Sequence, residues 1–115
     1  MKGFGEKTQS KKEITSKNKQ KVNISQLIKK AFELQSQGKK LEAAKYYVYL
    51  IKQGIKDCRV FSNYGIFLNE IGKHKESESK LKKAISLNPE YANAYYNLAV
   101  LSINQGNLEK AELEL

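Results

Sequence analysis

The chain has 115 residues, 40% of them hydrophobic, and a net charge of +9, which allows one small domain and excludes two. Its single cysteine, Cys58, excludes an intrachain disulfide and any multi-cysteine zinc or redox motif, and apolar runs such as Tyr46 to Ile51 fall well short of the roughly 18 residues of a membrane span. The opening Met1-Lys2 leads into neither an apolar signal core nor a myristoylation site, so a reducing cytoplasm is the expected setting.

Residues 1–22 hold seven lysines against Glu6 and Glu13 and show almost no apolar periodicity. Such a segment cannot bury enough surface to offset its ordering entropy, and its composition predicts a disordered tail. From Ile24 the pattern becomes helical: Leu27, Ala31 and Leu34 fall at i, i+4 and i+7 on a first helix that ends near Gly38. Ala43, Tyr47, Leu50 and Ile51 repeat that arrangement on a second, stopped near Gly54. Asp57 is the expected N-cap of a third, whose inward face carries Phe61, Tyr64, Gly65 and Leu68. The fourth is predicted from about His74 to Leu87 and ends at Asn88-Pro89, since the residue before proline avoids helical geometry. A fifth is expected from about Tyr91 to Gln105, with a sixth after Gly106, cut off at Leu115. Short loops between helices of similar length require antiparallel neighbours.

Gly38, Gly72 and Gly106 stand 34 residues apart, and other columns share the period. Ala31, Gly65 and Ala99 form one, Ala43, Ser77 and Ala111 a second, Leu27, Phe61 and Tyr95 a third, and Tyr47, Leu81 and Leu115 a fourth. One structural unit is thus written about three times, which predicts an all-α solenoid of about three antiparallel hairpins over residues 23–115, with repeats 24–57, 58–91 and an incomplete 92–115. Small residues facing each other let the two helices of a hairpin approach closely. Each glycine is expected to close a first helix in the left-handed conformation. The Ser77 hydroxyl is expected to bond back to the carbonyl one turn earlier.

These columns resemble the tetratricopeptide repeat, of bacterial type and in an N-terminal portion. The second unit carries the pattern through Phe61, Tyr64-Gly65, Leu68, Gly72, Ser77, Leu81, Ala84 and Pro89, and the third through Tyr95, Leu98-Ala99, Gly106, Ala111 and Leu115. The first keeps Ala31, Leu34, Gly38, Ala43 and Tyr47 but has Lys30 at a usually apolar position and Ile55 in place of the proline. The resemblance implies a concave groove, lined by the first helix of each repeat, that receives a peptide segment of a protein partner. The candidate groove residues it implies are Lys29, Arg59, Asn63, Asn93, Tyr96 and Asn97, with Ser25, Phe32, Ser62, Ile66 and Val100 beside them. Asn63 and Asn97, again 34 apart, would form two rungs of an asparagine ladder gripping a peptide backbone, because each amide both donates and accepts.

Catalytic chemistry is thin. His74 is the single histidine, Cys58 has no histidine at motif spacing, and no phosphate loop, HExxH or GxSxG occurs, so neither enzyme, metal nor cofactor is expected. Glu76, Glu78, Lys80, Lys82 and Lys83 are spaced as a solvated helix face, with Glu76 and Lys80 an i,i+4 pair. Twenty lysines to one arginine argue against base or phosphate recognition. The last repeat stops after 24 of its 34 positions, so the expectation is a fragment of a longer repeat protein or a truncated copy that self-associates through the final hairpin. Three functional readings stand: a non-catalytic peptide-binding scaffold, the N-terminal part of a larger enzyme such as a glycosyl- or sulfotransferase, and tethering to nucleic acid or anionic membrane through the lysine tail.

Overall fold

The computed structural model describes residues 24–114. The lysine-rich segment 1–22, with its expected disorder, lies outside the described residues, as does Leu115. Among the described residues every regular element is a helix: α1 (24–36), α2 (Lys40–Lys52), α3 (Cys58–Glu70), α4 (His74–Leu87) and α5 (Ala92–Glu114). The architecture is an all-α helical-repeat solenoid, with α1 and α2 as the first hairpin and α3 and α4 as the second.

The hairpin turns arise from backbone hydrogen bonding. A helix end leaves carbonyls without partners, and a residue with positive φ lets its own N–H and that of the next residue turn back onto them. Gly38 has φ +80° and Gly72 has φ +83°. After Gly38 the Lys39 N–H reaches Leu34 O at 2.9 Å, and after Gly72 the Lys73 N–H reaches Leu68 O at 2.8 Å. Gly54, at φ +81°, ends α2 in the same way, with the Ile55 N–H on Leu50 O at 3.2 Å. At the other end of a connection, the Asp57 carboxylate accepts from the Arg59 N–H and starts α3.

Burial comes from narrow stripes. In α4 Ser77, Leu81 and Ala84 are the buried residues, with Ile85 and Leu87 partly buried beside them. Tyr47, Leu50, Leu68, Leu81 and Leu101 are almost wholly enclosed, and each such aliphatic side chain contributes about 1.5–3 kcal/mol by leaving water. Ala31, Leu34, Ala43, Tyr47, Leu50 and Val60 make one core, joining α1, α2 and α3. Phe61, Ala84 and Ala94 make a second, joining α3, α4 and α5.

Helices α3 and α4 approach closely at Gly65. A Cβ placed there would lie 2.8 Å from Leu81 Cγ and 3.4 Å from Ser77 O, so the absence of a side chain is what lets α3 and α4 meet. The Ser77 hydroxyl donates across this contact to Gly65 O at 2.6 Å. That corrects the expected bond one turn back on α4: the neighbouring backbone is so near that the cross-helix acceptor wins. On the α4 surface the ion pair is Glu78–Lys82 at 2.9 Å rather than Glu76–Lys80.

The larger correction concerns Gly106. The separate sixth helix is not formed, because α5 runs from Ala92 to Glu114 without a break and Gly106 is not among the positive-φ glycines. Breaking a helix forfeits backbone bonds, and in the first two hairpins the buried stripe of the second helix offsets that loss. Beyond Gly106 the chain instead presents Leu108 and Glu109 to solvent. Keeping Gly106 helical costs only about 1 kcal/mol relative to alanine, so the straight helix is the cheaper state. With nothing folded over it, Ala99 is exposed, whereas its counterparts Ala31 and Gly65 are buried.

Candidate functional site

The first helices of the units, α1, α3 and α5, carry the groove positions, and α3 and α5 touch directly. Between α1 and α3 lies an open cleft of about 470 Å³, with Ser25, Ile28, Lys29, Phe32 and Arg59 in its walls. Two of the six expected site residues, Lys29 and Arg59, therefore share one cavity.

Arg59 is held firmly for a surface residue. Its Nη2 lies 2.6 Å from Asp57 Oδ2 and its Nε 3.0 Å from Asp57 Oδ1, a two-pronged pairing. Asp57 Oδ1 also accepts the Arg59 backbone N–H at 2.9 Å, so one carboxylate caps α3 and orients the arginine. The guanidinium sits 5.0 Å from the centroid of the Phe32 ring on α1, within cation–π range. The hydrogen bond from the Arg59 side chain lowers the Asp57 carboxyl below its ordinary range, against the opposing effect of burial. The reciprocal bond raises Arg59. Three of the five guanidinium N–H donors remain, on a side chain that is 54% exposed.

Asn63 and Asn97 are both half-buried, and Asn97 reaches a partner inside the protein. Asn97 Nδ2 donates to Ser62 Oγ at 3.0 Å, linking α5 to a fully buried hydroxyl on α3. The Tyr47 hydroxyl donates to Gln35 Oε1 at 2.5 Å, joining α2 to α1. Burial pushes its pKa up from 10.0 to about 12, with the Asn63 amide opposing the rise. Asn93 is exposed, with Nδ2 3.4 Å from the Tyr91 hydroxyl, and Tyr96 is 70% exposed.

The structure therefore divides the expected residues into three groups. Lys29 and Arg59 line the α1–α3 cleft, Asn63 and Asn97 are half-buried with Asn97 tying α5 to α3, and Asn93 and Tyr96 stand on the open surface of α5. The Asp57–Arg59 fork was not anticipated, although an acidic cap followed two residues later by arginine is a readable signal for it. The polar joint at Tyr47 was also missed, because Gln35 and Tyr47 lie on different helices and no local pattern connects them.

Elsewhere, His74 Nδ1 lies 2.9 Å from Asn69 Oδ1 across the second turn, and Cys58 is half-buried. No group of three or more metal-ligating side chains is found among the described residues, and no helix there is long and apolar enough to cross a membrane.

A family model described as tetratricopeptide repeat matches residues 80–113. No curated protein matches the chain. Such repeats are in general non-catalytic modules of protein–protein interaction. The 34-residue period and the hairpins closed by left-handed glycines agree with this match, which supports a tetratricopeptide repeat over residues 80–113.

Proposed function

We propose that the chain is a non-catalytic scaffold that holds a peptide segment of a protein partner along α1, α3 and α5, in a cytoplasmic setting. The observation that carries this reading is the α1–α3 cleft, with Phe32 on one wall and an Arg59 already oriented by Asp57 on the other. A cleft of this kind takes an apolar side chain against Phe32 and a neighbouring carboxylate on the free N–H groups of Arg59, with Lys29 adding positive charge. Glu33 also borders the cleft, so acidic residues are accepted only at the arginine side. Asn97 spends one N–H on Ser62, which leaves its carbonyl and second N–H for a peptide backbone, and the Asn63 amide both donates and accepts one repeat earlier.

The test is selection from a displayed peptide library on the immobilised full chain, followed by affinity measurement on variants. Selected peptides should share an apolar residue flanked by an acidic one. Arg59→Ala and Phe32→Ala should each weaken them roughly tenfold or more, the scale of one charge-assisted hydrogen bond or one buried aromatic contact, while circular dichroism stays unchanged. Peptides that bind both variants as tightly as the parent would remove the cleft from the reading.

A further inference from the structure

The straight α5 leaves an unfilled position that the first two units show how to fill. In each of those hairpins the small residue at the centre of the first helix is covered by the second helix: Ala31 and Gly65 are buried, and so are Ala43 and Ser77 opposite them. The third unit repeats the same columns at positions 99 and 111. Within one chain these cannot meet, because the helix does not turn at Gly106.

We propose that two copies of this chain pair antiparallel through α5, each supplying the covering helix the other lacks. The occupant of the Ala99 face is the 107–114 backbone of a second copy, running in the direction that α4 takes across α3. The hairpins set the register. Position 65 faces position 77, and the same offset sets position 99 of one copy opposite position 111 of the other, with the two-fold axis passing close to residue 105. One axis then makes both contacts at once, so the interface is closed and self-complementary.

Two further observations fit this occupant. Residues 92–107 contain no charged side chain, although Ile103 in that stretch is 62% exposed. An uncharged, partly apolar helical surface gains by being covered. Gly106 has nothing within 4 Å of the place a Cβ would occupy, so a second helix can pass close to the axis. The pairing lies apart from the Arg59 cleft, and the two proposals stand or fall separately.

Sedimentation equilibrium on the full chain should give twice the 13.1 kDa chain mass at micromolar concentration, and Ala99→Glu, a change at an exposed position, should return the mass to one chain without loss of helicity. Register is read by cross-linking in a Cys58→Ser background. Ala99→Cys with Ala111→Cys should oxidise to a disulfide-linked dimer, whereas Ala99→Cys alone should not, since its two copies would lie about 18 Å apart along the paired helices. A monomer with an intrachain 99–111 disulfide would overturn the proposal, because it means the hairpin closes within one chain. Failure of the double variant to cross-link, or a dimer that survives Ala99→Glu, would overturn it too.

Discussion

Gly72 and Gly106 occupy the same column of the repeat, yet alanine should have opposite effects at the two. Within one chain the space around a new Cβ is empty to 4 Å at both sites, so at a concentration low enough to keep the chain monomeric the backbone conformation decides. Gly72 has φ +83°, where an L side chain costs about 1–2 kcal/mol. The unfolded chain also loses freedom when glycine becomes alanine, which returns about 0.4–1 kcal/mol. Gly72→Ala should therefore destabilise by about 1 kcal/mol. Gly106 lies inside α5 with helical geometry, where alanine is favoured over glycine by about 1 kcal/mol, so Gly106→Ala should stabilise by about that amount. Urea unfolding followed by circular dichroism at one fixed protein concentration measures both, and on heating the two midpoints should move apart by roughly 8–16 °C, at about 4–8 °C per kcal/mol for a domain of this size. If Gly106→Ala destabilises as Gly72→Ala does, Gly106 adopts the left-handed conformation in solution, and both the straight α5 and the pairing built on it are wrong.

Gly65→Ala should cost about 1–3 kcal/mol of overpacking against Leu81, partly offset by about 1 kcal/mol of helix propensity. Leu81→Ala alone should cost about 2–5 kcal/mol. The double variant should lose clearly less than the sum, because the shortened side chain vacates the space the new methyl needs; strict additivity would mean that the two positions do not touch. Tyr47 gives an alkaline signature. Its raised pKa means that the folded state holds the proton more tightly than the unfolded one, so its contribution is complete below about pH 10 and disappears as pH rises towards about 12. Tyr47→Phe should flatten that part of the stability curve, and an unchanged alkaline limb would show that the hydroxyl is not buried. Asp57 acts at the acid end. Its lowered pKa gives a contribution that is present above its ordinary value of 3.8 and is lost as pH falls through the lower folded value. Asp57→Asn keeps a capping side chain and should remove the corresponding drop in stability below about pH 4, as read by chemical denaturation across that range.

Helix placement was legible where a local chemical rule had no competitor. Pro89 forbids helix at Asn88, and α4 ends at Leu87 accordingly. Asp57 accepts an early N–H, and α3 begins after it. Gly106 shows where such rules stop: glycine permits a left-handed turn but does not impose one, and the choice falls to how residues 107–114 can pack. The expected groove residues suffered from a different limit. Helical periodicity places Asn63 and Asn97 on first helices, but whether an amide faces solvent or a neighbour depends on the roll of adjacent helices. In this chain that roll brings Ser62 within reach of Asn97. Position along a helix is a property of one segment, whereas a hydrogen-bond partner is a property of two.

Helix α3 touches α2, α4 and α5, and residues from it enter both cores. In a linear array each unit is supported only by its neighbours, so stability is highest where support comes from both sides and falls toward the ends. Backbone amides of α3 then open only when the whole array does, while the far half of α5 opens through fraying of its own. The Arg59 cleft joins the first turn of this helix to α1, the end helix of the array, which supplies most of its wall. A partner seated there would tie the least supported end of the array to its best supported middle, so fraying of α1 would oppose binding.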